Sequence, residues 1–162
     1  MTLELFVHIL LLVLVANGAP VLATFLCRSR AAFPLDLGRR LADGRPLFGA
    51  SKTWRGLAAA LMAASLCACI LGYDAGFGLI FGALAMGGDL VSSFIKRRRG
   101  LSPGARCLAL DQLPEALLPA GYAVFSLQLS WWWAILLAMA FMLAQIALSR
   151  PLYLLRIRKR PY

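Results

Sequence analysis

Histidine is almost absent from this chain: His8 is the only one. That shortage excludes most nucleophilic catalysis, because Ser-His-Asp and Cys-His arrangements need a base beside the nucleophile. It also argues against a Cys/His zinc site, since His8 falls near the outer end of the first apolar run, far from the other polar groups. Cysteine is equally uninformative. Cys27, Cys67, Cys69 and Cys107 form no C-x-x-C pair, and two of them fall within an expected span, where a free thiol behaves as a small apolar group. Acidic residues are few, seven against 17 Lys and Arg, so each carboxylate in an apolar setting needs a reason. No Walker-type Gly-x4-Gly-Lys-Ser/Thr loop, internal repeat or low-complexity segment is present.

Apolar residues are plentiful, at 61% of 162 positions, with a mean hydropathy of +0.77. This is too apolar for a soluble core of such size, and the runs approach the roughly 20 residues that cross a bilayer. A single domain over residues 1–162 is expected, as an all-α, polytopic membrane bundle. The net charge of +10 would suggest nucleic acid in a soluble protein. Here the cations lie between apolar runs, so anionic lipid or phosphate is the expected partner, and nucleic acid is not.

Every Lys and Arg falls in one of three clusters: Arg28 to Arg55, Lys96 to Arg106, and Arg150 to Arg160. The positive-inside rule places all three in the cytoplasm. An even number of spans must then separate them, which gives five spans with the N-terminus outside and the C-terminus inside. They are about Leu3–Leu26, Leu57–Leu71, Phe77–Ile95, a fourth ending near Leu129 and a fifth ending near Ser149. The first lacks a basic n-region and precedes a basic cluster, so it is expected as a retained span rather than a signal peptide. Within it, Asn17-Gly18-Ala19-Pro20 is expected to loosen the helix and line a polar cavity. Trp131-Trp132-Trp133 reads as an interfacial belt, and the tail from Arg150 as an anchor to anionic lipid.

The stretch from Gly87 to Gly100 carries the most chemistry. A helix there places Asp89, Ser93 and Lys96 at i, i+4 and i+7 on one face. An ionisable residue at membrane depth costs at least a few kcal/mol and so marks function or a paired structural charge. Before it, residues 27–52 form a long, turn-rich loop with too many apolar residues for disorder. Ser51 or Thr53 can cap the second span and leave N–H groups for an anion, with Lys52 and Arg55 beside them. Gly78 and Gly82 form a Gly-x3-Gly pair suited to close helix packing. Asp111 and Glu115 flank Pro114 at the start of the fourth span, either as dipole-complementing acids or as carboxylates facing Asp89. Carboxylates and cations at one membrane surface suit phosphoryl or nucleotidyl transfer, which needs clamped phosphates more than covalent help. Two non-enzymatic readings stand beside it: binding of CTP or anionic lipid without turnover, and transport of a phosphorylated solute. Cations on one side only count against the transporter, whose site should lie near the midplane.

Five segments in order, Val15 to Val21, Leu41-Ala42-Asp43-Gly44-Arg45, Lys52-Thr53-Trp54-Arg55-Gly56, Gly88-Asp89 through Ser93-Phe94-Ile95-Lys96-Arg97-Arg98, and Leu110-Asp111-Gln112-Leu113, resemble the CDP-archaeol synthase family. That family is similar to the C-terminal half of CDP-diacylglycerol synthases. The resemblance implies a five-helix membrane enzyme that uses Mg²⁺ to transfer CMP from CTP to a lipid phosphate, releasing pyrophosphate. It also implies roles: Asp89, Lys96 and Asp111 in catalysis, with Asp89, Asp111 and Glu115 toward metal. Lys52, Thr53, Arg55, Ser93 and Arg97 would meet CTP or phosphate, and Asn17, Asp43 and Gln112 would line the cavity. The expected partners are CTP, the lipid phosphate and membrane lipids, in an inner or plasma membrane with the site facing the cytoplasm; a homodimer is left open. The chain departs from the family pattern twice. Ala50-Ser51 replace an Asp-Gly before Lys52, and Pro114-Glu115 replace an Asp-Phe after Leu113, so that Glu115 stands one position later than the missing Asp.

Overall fold

A computed structural model describes residues 2–28, 30–101 and 108–156. Ser102, Pro103, Gly104, Arg106 and Cys107, and the tail cations Arg158, Lys159 and Arg160, lie outside the described residues. Five helices run in order: α1 (Leu3–Cys27), α2 (Trp54–Ile70), α3 (Ala75–Arg98), α4 (Leu108–Ser126) and α5 (Trp132–Leu154). No strand occurs among the described residues; the α1–α2 loop holds only two isolated bridges, Pro34 with Thr53 and Arg40 with Pro46.

By length and apolar composition α1, α3 and α5 can each cross a bilayer. Helix α2 is apolar but has only 17 residues, and α4 carries Asp111, Pro114, Glu115 and Pro119 along its 19. The five expected spans are thus five helices, of which three meet the length and composition of a span by themselves. Helix starts differ slightly from the sequence expectation for a local reason. The Thr53 side chain accepts from the Gly56 N–H at 3.1 Å, so α2 begins at Trp54 rather than Leu57. Asp74 does the same for α3 through Gly76 at 2.7 Å.

Helix α1 continues without a break through Pro20, contrary to the expected loosening. The Asn17 amide donates to the Val13 carbonyl at 2.9 Å and the Thr24 hydroxyl to the Pro20 carbonyl at 2.8 Å. Local side chains thus serve backbone groups around the proline, as membrane helices commonly arrange.

Helix α3 packs against α1, α2 and α4, and α5 closes the bundle on α4 and α1. Ala60, Ala64 and Ala68 recur every fourth residue and are fully buried, presenting a smooth face to α3. A Cβ placed on Gly78 would stand 2.5 Å from the Ala64 carbonyl oxygen, so the Gly-x3-Gly pair is a packing device, as expected. The larger core residues, Ile9, Leu12, Phe81, Val124, Leu137 and Phe141, join α1, α3, α4 and α5. Outward positions such as Met62, Leu66, Ile70, Leu143 and Ile146 stay exposed and apolar, which suits lipid rather than water as the surrounding solvent.

The two bundle ends differ in chemistry. At one end His8 Nδ1 meets the Tyr73 hydroxyl at 3.3 Å, Tyr73 stacks on Phe77 with centroids 5.2 Å apart, and Trp131 and Trp132 are exposed. The other end carries the end of α1, the α1–α2 loop, the end of α3 and the start of α4. All cations among the described residues belong to that second end or to the end of α5.

Candidate functional site

The polar face read from the α3 sequence is present. Asp89 forms an ion pair with Lys52, on the loop just before the α2 cap, and Lys96 pairs with Asp111, near the start of α4, at 2.6 Å. Both pairs are largely withdrawn from solvent, with side chains 12–25% exposed. Ser93, midway between Asp89 and Lys96 on α3, is buried, as is Arg97. One helix therefore holds two oppositely charged residues, each matched by a different neighbour.

The register of α3 against α4 is fixed by contact at Gly88. A Cβ there would lie 2.2 Å from the Pro114 carbonyl oxygen and 2.5 Å from the Glu115 nitrogen. The helices therefore touch backbone to backbone one residue from Asp89 and three from Asp111. Pro114, which departs from the family pattern, is the residue whose carbonyl meets Gly88. Glu115 and Gln112 lie on the same stretch of α4, and Gln112 is buried with 8% exposure. On the other side, Ala16 packs with Ala64 and with Ala85, which lies one turn before Asp89 on α3, and Asn17 next to it is buried.

Three of the expected site residues have structural partners. Thr53 is the α2 cap described above. The Arg55 guanidinium donates to the carbonyls of Arg28 (3.1 Å) and Arg30, and to Thr24 Oγ1 (3.3 Å), tying the end of α1 to the start of α2. Asp43 lies on the loop, 42% exposed, and pairs with Arg98. Arg98 also donates to the Pro46 carbonyl at 2.6 Å, while Arg45 donates to the Arg97 and Arg98 carbonyls at the end of α3. This reciprocal clamp fastens the loop to α3, with cations at the negative end of the helix dipole.

One residue escaped sequence reasoning. Asp36, in an unremarkable Asp-Leu-Gly turn, is buried with 4% exposure. Its Oδ1 accepts from the Gly38 N–H at 3.0 Å, and its Oδ2 accepts from the Phe48 N–H at 3.0 Å and the Gly49 N–H at 2.8 Å. Burial pushes its carboxyl up, but the N–H groups of Gly49, Phe48 and Gly38 together outweigh it and hold the group below the usual carboxylate range. The sign follows. A depressed value contributes stability that is complete above the unfolded-chain value of about 3.9 and is lost as pH falls through the folded value. The thermal midpoint of the detergent-solubilised chain should therefore drop on acidification below about pH 4, and Asp36→Asn should flatten part of that slope. An identical slope in the variant would assign the acid sensitivity elsewhere.

No three His, Cys, Asp or Glu side chains cluster to hold a metal by themselves among the described residues. Mg²⁺ does not require such a cage, since it takes one or two carboxylates together with waters and substrate phosphates. Asp89 and Asp111 supply hard oxygen donors on helices in backbone contact, each paired with a lysine. This donor set fits a metal that arrives with its phosphates.

The family model described as CDP-archaeol synthase (CarS-like) matches residues 2–77 and 71–162. A CDP-archaeol synthase of Hyperthermus butylicus is 41% identical over 125 residues, covering 68% of this chain and 70% of its own. A CDP-archaeol synthase of Pyrobaculum calidifontis is 34% identical over 159 residues, 91% of each chain. Among solved structures, one described as an intramembrane enzyme for archaeal membrane lipids biosynthesis superposes with a TM-score of 0.72 at 30% identity. That alignment covers 88% of this chain and 91% of the other.

Proposed function

The chain belongs to the CDP-archaeol synthase family and is a CTP-dependent cytidylyltransferase of the membrane that makes a CDP-lipid; from that premise we propose how its residues carry the reaction and on which lipid. The acceptor is an archaetidic-type or closely related lipid phosphate. Its phosphomonoester, with a second pKa of about 6, is already anionic near neutrality and needs no general base. A phosphate oxygen of the lipid attacks the α-phosphorus of CTP, the bond to the β-phosphate breaks, and pyrophosphate leaves. No covalent enzyme intermediate forms. The scarcity of histidine is consistent with a reaction that calls for no proton shuttle.

The observation that carries this reading is the pair of ion pairs flanking the Gly88–Pro114 contact, Lys52 with Asp89 and Lys96 with Asp111. Two anionic substrates must be brought together, and their mutual repulsion is the largest electrostatic obstacle. Lys52 and Lys96 are cations parked on carboxylates that can be passed to incoming phosphates. Arg97, buried behind them, adds fixed positive charge. Asp89 and Asp111, with Glu115 nearby on α4, would then hold Mg²⁺. When bound, that ion would neutralise phosphate oxygens and lower the barrier to displacement. The gathering of cations at one bundle end supports a site facing the cytoplasm, with the N-terminus outside.

Purified protein supplied with CTP, Mg²⁺ and either an archaetidic-type ether lipid phosphate or phosphatidic acid tests this directly. Pyrophosphate release with matching CDP-lipid is expected, faster on the ether lipid. Release on phosphatidic acid alone would move the substrate to ester lipids. CTP binding without release on either lipid would leave a binding protein in place of an enzyme.

A further inference from the structure

Lys52 stands on a loop rather than on a helix, so something must hold it where a phosphate can find it. We propose that Asp36 is a positioning residue for the transfer, acting through the loop backbone to present Lys52 to Asp89 and to the triphosphate of CTP; this rests on the cytidylyltransferase reading above. The route is continuous. The Asp36 carboxylate grips the N–H groups of Phe48 and Gly49. Gly49, at φ +96°, adopts a backbone conformation that L side chains rarely take. Its carbonyl accepts from the Lys52 N–H at 3.1 Å, closing a turn. The Lys52 carbonyl in turn accepts from the Leu35 N–H at 2.7 Å, beside Asp36. Lys52 is therefore held through its own N–H and C=O by a short circuit that begins and ends at Asp36.

The same circuit backs the other cation of the site. A Cβ on Gly49 would come within 4.0 Å of the Arg97 Cδ, so the turn that Asp36 pins also walls in Arg97. Trp54 N–H donates to the Phe33 carbonyl at 3.1 Å, which extends the pairing to the first residue of α2. Asp36 touches neither Lys52 nor any expected substrate position by side chain. Its effect is transmitted, and a carboxylate is suited to it because two oxygens are needed for three backbone donors.

The chain has three lysines, Lys52, Lys96 and Lys159, and Lys96, on a helix itself, pairs with helix-borne Asp111. This supplies an internal control. Wild type, Asp36→Ala and Asp36→Asn, purified in detergent without nucleotide, are treated briefly with an amine-acylating reagent, and modification at each lysine is read by mass spectrometry. Labelling of Lys52 is expected to rise several-fold in Asp36→Ala while Lys96 stays at its wild-type rate. Asp36→Asn, which keeps the size and one acceptor oxygen, should fall between. A parallel rise at Lys52 and Lys96 would mean general loosening, and unchanged labelling at both would mean that Asp36 does not hold Lys52; either overturns the inference. If Asp36→Ala does not fold, Asp36→Asn decides by the same comparison. In turnover, the KM for CTP should rise about tenfold or more with a smaller change in kcat, and the rise should shrink in a Lys52→Ala background to the part that passes through Arg97. An undiminished rise there would also overturn the inference. Absence of turnover in the wild type would instead sink the enzymatic reading and leave the labelling result to stand by itself.

Discussion

Changing Asp89 to asparagine should lower CMP transfer by about two to three orders of magnitude while leaving the helices intact. Asparagine has nearly the same volume, so the α3 face keeps its packing. What disappears is the negative charge paired with Lys52. In the resting state Lys52 is then a partly buried cation without its counter-ion, and in the loaded state a hard oxygen donor has been weakened to a neutral amide. The two losses can be separated. If Asp89 serves only to park Lys52, then Asp89→Asn/Lys52→Ala should have the same residual rate as Lys52→Ala, because without the lysine there is nothing left to park. If Asp89 also holds metal, the double variant should fall below Lys52→Ala by nearly the full cost of the Asp89 change. In that case raising Mg²⁺ should recover part of the single variant's rate. Turnover in Asp89→Asn within about threefold of wild type would remove Asp89 from the chemistry, because so small a change is well under one kcal/mol.

The part of this site that could be read from the sequence is the part set by one helix. The spacing of Asp89, Ser93 and Lys96 places them on one face wherever α3 goes, and it does not depend on any other element. The choice of partners is different in kind. Lys52 meets Asp89 across 37 positions, and Lys96 meets Asp111 across a segment that includes undescribed residues. No local period encodes such pairings. Arg55 shows the same limit from the other direction. Two residues after a cap, it reads as a phosphate-facing cation, yet its donors go to carbonyls left open at the end of α1. Asp36 was hidden because an Asp-x-Gly turn usually satisfies only its own backbone, and nothing near it signals that Phe48 and Gly49 return to it. Pro20 misled because its cost depends on solvent. In water a mid-helix proline breaks the helix, whereas in a bundle within lipid the backbone has no better alternative than to continue.

Gly88 carries the second large effect, and here the geometry predicts failure of the scaffold rather than of a reacting group. An alanine Cβ at this position would stand 2.2 Å from the Pro114 oxygen, 2.3 Å from its carbonyl carbon and 2.5 Å from the Glu115 nitrogen. All three are backbone atoms of a helix, so no side chain can rotate aside. Helices α3 and α4 must separate, at a cost at or above the upper end of ordinary overpacking, about 3 kcal/mol. For a chain of this size that corresponds to roughly 6–12 °C in thermal midpoint. Two neighbouring glycines make the result interpretable. Gly87 has nothing within 4 Å of its would-be Cβ, so Gly87→Ala should be neutral, or stabilising by about 0.5–1 kcal/mol from helix propensity. Gly78→Ala meets Ala64 and Ser65 backbone atoms at 2.5 and 2.6 Å, but near the other end of α3. It should lower the midpoint about as much as Gly88→Ala while leaving the KM for CTP of the surviving folded protein unchanged. Gly88→Ala should raise that KM as well, because the separation opens between Asp89 and Asp111. Equal KM values in the two variants would show that the Gly88–Pro114 contact supports the bundle without setting the spacing of the site.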